Sequence, residues 1–162
     1  MVGRNRGHVV TVASLMGMMV SGSLSDYSAS KSAQMALADA LRLELRSAAP
    51  NVNTLLVCPW AINTGMFKGI RESGTIGERL NKLAFPELDQ ERVAKAILNG
   101  IEQGEKFLVM PAVLAWLPYL VRLLPPEVAD TVTDFMGGNS SMDSFKGRSA
   151  VNNPLLAGSC KD

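Results

Sequence analysis

One stretch, Gly7–Arg46, constrains the fold of this chain more than any other part of the sequence. Its first part, His8–Ala13, is a valine-rich apolar run after a glycine, which predicts a buried parallel strand. From about Asp26 onward, apolar residues recur at helical spacing, which predicts a long helix. The predicted apolar face of that helix consists of Ala29, Ala33, Ala36, Leu37, Ala40, Leu41 and Leu45.

Three polar side chains fall where a parallel α/β sheet keeps its chemistry. Ser14 directly follows the predicted strand, and open α/β sheets bind ligands at the carboxyl ends of their strands. Tyr27 and Lys31 are four residues apart, so they share one face at the start of the helix. The sequence therefore predicts that a hydroxyl, a phenol and an ammonium group converge at one edge of the sheet.

The spacing of these residues resembles the active-site motif of the short-chain dehydrogenase/reductase family. In that motif a serine precedes a Tyr-x-x-x-Lys segment, which here reads Tyr27-Ser28-Ala29-Ser30-Lys31. The flanking sequences GHVVTVAS and ALADALRLELR are most similar to the branch with retinol dehydrogenases and 17β-hydroxysteroid dehydrogenases of the endoplasmic reticulum and lipid droplets. The resemblance runs from about Gly7 to Arg148.

The resemblance implies an oxidoreductase that interconverts a lipidic alcohol, such as a retinoid or steroid, and its carbonyl, with NAD or NADP as cofactor. Its catalytic residues would be Ser14, Tyr27 and Lys31. Free tyrosine, with a pKa of about 10, is a poor base at neutral pH, so the lysine ammonium and the oxidised nicotinamide would favour the phenolate. Tyr27 would then carry the proton, and Ser14 would stabilise charge on the substrate oxygen.

A second buried parallel strand is predicted at Val52–Cys58, and it completes a βαβ unit with the first strand and the helix. A loop that starts at Pro59 follows it. In the family this loop holds the nicotinamide carboxamide. The predicted cofactor-binding residues are therefore Tyr27, Lys31, Pro59, Ile62 and Thr64. Trp60 stands where the family has a glycine, a residue that takes positive φ without strain.

The remaining chain alternates between polar and apolar segments. Lys68–Pro86 predicts a loop, with or without a short helix in it, which in the family covers the substrate. Asp89 is a predicted N-cap and Gly104 the C-terminal stop of a second helix. Lys106–Met110 predicts a third strand, ended by Pro111.

The apolar segment Ala112–Leu124 has two interpretations. It is too short to span a bilayer, so it predicts either a helix buried against the sheet or a dimer partner, or one lying in a membrane interface with Trp116 and Tyr119 at headgroup level. Asp130–Phe135 predicts a last helix turn, and the polar residues from Ser149 onward predict a disordered tail.

Composition narrows the class of protein. The chain has 162 residues, 47% of them hydrophobic and 19% charged, which is typical of one globular domain. The net charge is +1 and the basic residues are scattered, so the sequence lacks the clustered basic patch that is typical of nucleic-acid-binding proteins. Cys58 and Cys160 match no metal or redox spacing, so we predict no metal site and reduced thiols in a cytosol-facing protein.

The predicted fold class is α/β, a Rossmann-type parallel sheet of about three strands with flanking helices, corresponding to the C-terminal half only. The glycine-rich turn that binds the dinucleotide pyrophosphate does not occur in the sequence. Residues 1–148 are therefore predicted to be a partial dehydrogenase domain lacking the dinucleotide-binding half, with 149–162 as its tail.

The resemblance also implies partners and a location. The full-length form would be a homodimer paired through the helix from Asp26 to Arg46, with peripheral contact to the endoplasmic reticulum membrane or lipid droplets on their cytosolic side. A cytoplasmic protein is the alternative location. The alternative function is a non-catalytic chain that acts as a dimerisation or membrane-associated partner.

Overall fold

The computed structural model of the protein describes residues 1–64, 83 and 86–135. Its centre is a three-stranded parallel sheet in the order β1-β2-β3. The strands are β1 (Gly7–Val12), β2 (Val52–Pro59) and β3 (Phe107–Met110). Each lies within one residue of its predicted bounds, so the predicted parallel sheet is confirmed.

Helices and short turns connect and follow the strands. The helices are α1 (Ser25–Ala48), α2 (Gln90–Gln103), α3 (Leu117–Arg122) and α4 (Pro126–Phe135). The 3-10 turns are Val2–Arg4, Leu15–Gly17 and Ala112–Ala115. Within the described part of the chain, every helix is too short or too polar to cross a bilayer.

Strand β2 is the centre of the sheet because it is buried on both faces. Leu56 and Cys58 belong to the apolar cluster that contains Ala38 of α1. Leu55 and Val57 belong to the cluster that contains Val93 of α2. The unbroken apolar run of β2 thus reflects two cores, one on each face, since neighbouring strand residues point to opposite sides.

The ends of α2 follow from local side-chain chemistry, as predicted. The Asp89 carboxylate accepts a hydrogen bond of 3.1 Å from the main-chain N–H of Arg92. At the other end Gly104 adopts φ 69°, a left-handed conformation that glycine takes without strain. Both predicted helix signals are confirmed.

The predicted apolar face of α1 is only partly correct. The predicted residues at 29, 33, 36, 37 and 40 are exposed, and Leu37 is 69% exposed. The predicted Leu45 is buried and Leu41 packs beside it, but the rest of the side that packs on the sheet and its turns contains Ser28, Lys31, Met35 and Ala38. The helical periodicity indicates the more apolar side of α1, whereas the side that packs on the rest of the protein also carries polar residues.

The segment Ala112–Leu124 divides into a 3-10 turn and the short helix α3. Leu114 is buried in the apolar cluster on the α1 face of the sheet, and Pro118 is also buried. The exposed apolar residues are Val113, Trp116, Tyr119, Leu120, Leu123 and Leu124. The segment is therefore amphipathic, with one apolar side buried and the other exposed.

Three predictions concern residues at the margins of the described structure. The last helix, α4, begins at Pro126 rather than Asp130, because proline at a first helical position has φ preset for a helix. The predicted loop Lys68–Pro86 lies outside the described residues except for Leu83 and Pro86. The predicted tail from Ser149 also lies outside them.

Candidate active site

Ser14 lies where β1 leaves the sheet. The Ala13 N–H still bonds the Val57 carbonyl at 2.8 Å, and the Ser14 N–H bonds the sulfur of Cys58. The side chain is only 8% exposed, and its Oγ accepts a hydrogen bond of 3.2 Å from the N–H of Met16. Because Oγ is the acceptor in that bond, the hydroxyl hydrogen is available for donation to a ligand.

Tyr27 and Lys31 lie in the first two turns of α1 and share one face, as predicted. The Lys31 Nζ atom is 5.7 Å from the centroid of the Tyr27 ring, within range of a cation–π contact. The same Nζ donates to Gln34 Oε1 at 3.0 Å. Both side chains are half-buried, so the phenol and the ammonium remain reachable from solvent.

The turn Leu15–Gly17 joins Ser14 to the helix that carries Tyr27 and Lys31. Ser32 Oγ donates a hydrogen bond of 2.8 Å to the Gly17 carbonyl. A methyl group built on Gly17 would lie 2.9 Å from the carbonyl carbon of Lys31. The structure thus places the residues that follow Ser14 directly against the backbone of Lys31.

Gly17 and Ser32 were missed in the sequence interpretation. The one local signal was a glycine three positions after Ser14, inside a methionine-rich segment. Glycine at a close approach between two backbones is common, but the sequence does not say which backbone it approaches. The contact partner, fifteen residues away for Ser32, emerges only from the fold.

The loop after β2 begins at the same edge of the sheet as Ser14, one strand away. Pro59 is buried and pairs with Met110 of β3. Ile62 forms a parallel bridge to Leu88, and the Asn63 N–H bonds the Leu88 carbonyl at 3.0 Å. Thr64 follows as an exposed residue. The predicted cofactor residues at 59, 62 and 64 therefore lie on a loop held at both ends.

Trp60 occupies the family's glycine position without a glycine conformation. Among the described residues other than glycine, only Asn5 and Ser23 have positive φ. The Trp60 N–H bonds the Met110 carbonyl at 2.8 Å, and its side chain packs against the apolar cluster under α1. The backbone of this loop therefore accommodates a bulky residue without strain.

Cys58 lies directly behind Ser14 and is fully buried. Burial raises the pKa of its thiol from an ordinary 9.0 to about 11; the Ser14 N–H hydrogen bond acts in the opposite direction, and the Asp39 charge raises it further. The thiol is therefore neutral at physiological pH. Because the thiolate is the nucleophilic form, Cys58 supports Ser14 rather than acting as a nucleophile.

A shallow groove lies between α1 and the sheet. Its lining includes Thr11, Asp39, Arg42, Thr54 and Lys106. None of the predicted catalytic or cofactor residues lines it. Among the residues that the structure describes, the lining of this groove therefore does not coincide with the candidate site.

Comparison with known sequences gives a consistent set of relatives. A family model described as short chain dehydrogenase matches residues 1–74. Short-chain dehydrogenase/reductase family 16C member 6 of Bos taurus is 34% identical over 146 residues, covering 90% of this chain and 44% of the relative. Epidermal retinol dehydrogenase 2 of Mus musculus is 31% identical over 149 residues, covering 91% and 46%. The chain spans less than half the length of these relatives.

Comparison with solved structures supports the fold. A short chain dehydrogenase from Burkholderia cenocepacia in complex with NADP has a TM-score of 0.59 at 20% identity, over 81% of this chain and 49% of that one. A short chain dehydrogenase/reductase from Burkholderia phymatum in complex with NAD has a TM-score of 0.58 at 22% identity, over 76% and 50%. At this identity the likeness establishes the shared parallel α/β architecture.

Proposed function

Since the chain belongs to the short-chain dehydrogenase/reductase family, we propose that it supplies the catalytic part of an NAD- or NADP-dependent oxidoreductase. The substrate class is a lipidic alcohol and its carbonyl, and the name of the retinol dehydrogenase relative favours a retinoid. One observation carries the proposal: the turn that follows Ser14 packs against the helix at Lys31, one turn from Tyr27.

In the proposed reaction each of the three residues has one task. Tyr27 accepts the alcohol proton during oxidation and returns it during reduction. Lys31 stabilises the negative charge on the phenol oxygen while the proton is away. Ser14 donates its hydroxyl hydrogen to the substrate oxygen and stabilises the charge that develops there. When bound, the nicotinamide supplies the hydride chemistry.

The residues fit the nicotinamide end of the cofactor. Lys31 offers an ammonium donor at the sheet edge, and Pro59, Ile62 and Thr64 lie on the loop that leaves the neighbouring strand at that edge. Tyr27 is on the Lys31 face and would complete the set. We further propose that residues 1–148 are the catalytic half of the domain and that a nucleotide-binding half lies outside this sequence. A polypeptide that joins such a half to these residues is called the parent enzyme below.

Replacing Tyr27 with phenylalanine tests the proposal. In the parent enzyme, Tyr27→Phe should abolish turnover of a retinol with NAD or NADP and leave the cofactor dissociation constant unchanged, because only the proton carrier is removed. Lys31→Ala should cause similar damage. Tyr119→Phe is the matched control: it deletes the hydroxyl of the exposed second tyrosine and should retain full activity.

Turnover by Tyr27→Phe above a few per cent of wild type would contradict the assigned proton carrier. A wild-type parent enzyme that turns over no alcohol or carbonyl with either nucleotide would favour the alternative function, a non-catalytic partner. The exposed apolar side of α1, with Ala33, Leu37 and Ala40, would then be the surface for a second copy of the chain.

A second proposal concerns location: the segment Val113–Leu124 contacts a lipid surface. Its exposed large apolar residues include Val113 in the 3-10 turn and Trp116, Leu120 and Leu123 in and at the ends of α3. The rings of Trp116 and Tyr119 lie 6.4 Å apart, and Arg122 is the single charge of the segment. Amphipathic aromatics beside a basic residue favour the headgroup level of a membrane interface.

Flotation with phosphatidylcholine vesicles tests this second proposal in the parent enzyme. Trp116→Glu and Leu120→Glu should each lower the vesicle-bound fraction and leave the thermal midpoint unchanged, because both side chains are already exposed. Leu98→Glu is the matched control, since Leu98 and Leu120 are both 59% exposed. Unfolding of the glutamate variants, with no vesicle binding by the wild type, would identify the segment as core.

A further inference from the structure

We propose that Gly17 and Ser32 are positioning residues that hold Ser14 at a fixed place relative to Lys31. The inference rests on the proposed function of Ser14 and adds two residues to it. Neither residue would contact a reacting atom. Both act through the short turn Leu15–Gly17. Ser14 directly precedes that turn, and Gly17 at its other end contacts α1. The turn therefore connects two parts of the candidate site.

The first end of the turn is fixed to Ser14 itself. Ser14 Oγ accepts the N–H of Met16 at 3.2 Å, and the Ser14 carbonyl accepts the N–H of Gly17 at 3.0 Å. The Leu15 side chain is fully buried in the core beneath the turn. Movement of the turn therefore moves the Ser14 hydroxyl, because the hydroxyl is bonded to the turn's own backbone.

The second end of the turn is fixed to α1 by two contacts. The Gly17 carbonyl accepts the Ser32 hydroxyl at 2.8 Å. A methyl group on Gly17 would lie 2.9 Å from the carbonyl carbon and 3.0 Å from the carbonyl oxygen of Lys31, and 2.7 Å from Met35 Sδ. Met35 could rotate away, but the Lys31 backbone belongs to a continuous helix and cannot.

A side chain at position 17 must therefore displace the turn rather than the helix. The turn has three residues, whereas α1 runs from Ser25 to Ala48. Displacing the turn moves Ser14 away from the substrate oxygen and leaves Tyr27 and Lys31 in place. Misplacement of a catalytic group by about 1 Å costs about a hundredfold in rate, so even a partial shift is measurable.

A double-mutant cycle in the parent enzyme tests whether Gly17 acts through Ser14. Gly17→Ala should lower kcat by about 10- to 100-fold with the cofactor dissociation constant unchanged. Ser14→Ala, which deletes the donor, should lower kcat by about 10²- to 10³-fold. In the Ser14→Ala background, Gly17→Ala should change kcat less than about twofold, because the group it misplaces is already gone.

Hydrogen exchange of the cofactor-free parent enzyme gives a readout that does not need activity. Gly17→Ala and Ser32→Ala should speed the amide exchange of Leu15–Met19 and leave that of Ala38–Leu45 unchanged. Gly3→Ala is the matched control, because Gly3 also lies in a 3-10 turn and a methyl group there meets nothing within 4 Å. Ser47→Ala is the control for Ser32→Ala, since Ser47 is exposed at the far end of α1.

The outcomes separate the two proposals. Wild-type kcat for Gly17→Ala, or a Gly17→Ala loss that multiplies fully with that of Ser14→Ala, would overturn the positioning role. If Gly17→Ala does not fold, Ser32→Ala carries the same cycle, with an expected loss of about 2- to 10-fold for one hydrogen bond. A failure of Tyr27→Phe to abolish turnover would instead overturn the proposed function, and the exchange measurement would still decide whether Gly17 and Ser32 fix the Ser14 turn.

Discussion

Ser14 and Cys58 are neighbouring small polar residues with different roles at the carboxyl edge of the sheet. The hydroxyl of Ser14 accepts a backbone N–H, which leaves its hydrogen for a ligand. The thiol of Cys58 lies behind it in the core and accepts the N–H of Ser14. The difference arises from burial, because the low-dielectric core holds the thiol neutral.

We predict that Cys58 makes the free energy of unfolding fall between about pH 9 and pH 11. The thiol ionises near its ordinary pKa of 9.0 in the unfolded chain and near 11 in the folded one. Between these values the unfolded state holds fewer protons, so stability present below pH 9 is lost as the pH rises. Two pKa units correspond to about 2–3 kcal/mol.

Urea unfolding of the parent enzyme at pH 8 and pH 10.5 measures this effect. Cys58→Ala should be less stable than wild type at pH 8, because it leaves a cavity, but should lose less stability on going to pH 10.5. Equal losses in the two proteins would mean that Cys58 does not ionise differently in the folded state.

At the scale of the secondary-structure element, the bounds of α2 are determined by its own terminal residues. The Asp89 carboxylate satisfies the N–H of Arg92, one of the main-chain donors that a helix start leaves without a helical acceptor. We predict that Asp89→Ala destabilises the parent enzyme by about 1 kcal/mol and lowers its thermal midpoint by about 2 °C. Asp89→Asn, which keeps a capping oxygen, should stay close to wild type. A midpoint unchanged by Asp89→Ala would show that packing of Val93 and its neighbours alone holds this helix.

The difference between α1 and α2 explains what the sequence could predict. Asp89, Gly104 and the apolar stripe of α2 are local signals, and the structure contains all three features. The α1 face could not be predicted, because the side that packs inward carries Ser28 and Lys31 while the exposed side is richer in alanine and leucine. Helical periodicity measures only apolar character. On α1 a polar side is also covered, because the turn after Ser14 packs against it.

The candidate site likewise has one part that local sequence signals predict and one part that depends on the tertiary fold. Ser14, Tyr27 and Lys31 were predicted from spacing and from the family motif, both of which are readable in one stretch of chain. The contact of Gly17 with Lys31 depends on how the Ser14 turn docks on α1, which is a tertiary property. The backbone at Trp60 is similar, because its N–H bonds the carbonyl of Met110, about fifty residues further along the chain.

At the scale of the whole molecule, β2 is the well-covered central strand of the described sheet, and β1 and β3 are its edge strands. In the described part of the chain β1 pairs only with β2. Val12 of β1 is 48% exposed, whereas its partner Val57 is fully buried. An open apolar edge invites pairing with another chain. At about 25 cal/mol per Å², a few hundred Å² of missing apolar cover amounts to about 5–10 kcal/mol, comparable with a typical folding stability of about 5–15 kcal/mol.

The central claim is that these 162 residues hold the proton-transfer residues of a dehydrogenase and not its nucleotide-binding half. Calorimetric titration of the 162-residue chain with NAD and with NADP, beside a thermal melt, tests it most directly. We predict no saturable heat with either nucleotide and a broad or aggregating melt, while the parent enzyme binds one of the two. A sharp melt together with micromolar binding by the 162-residue chain would contradict the claim.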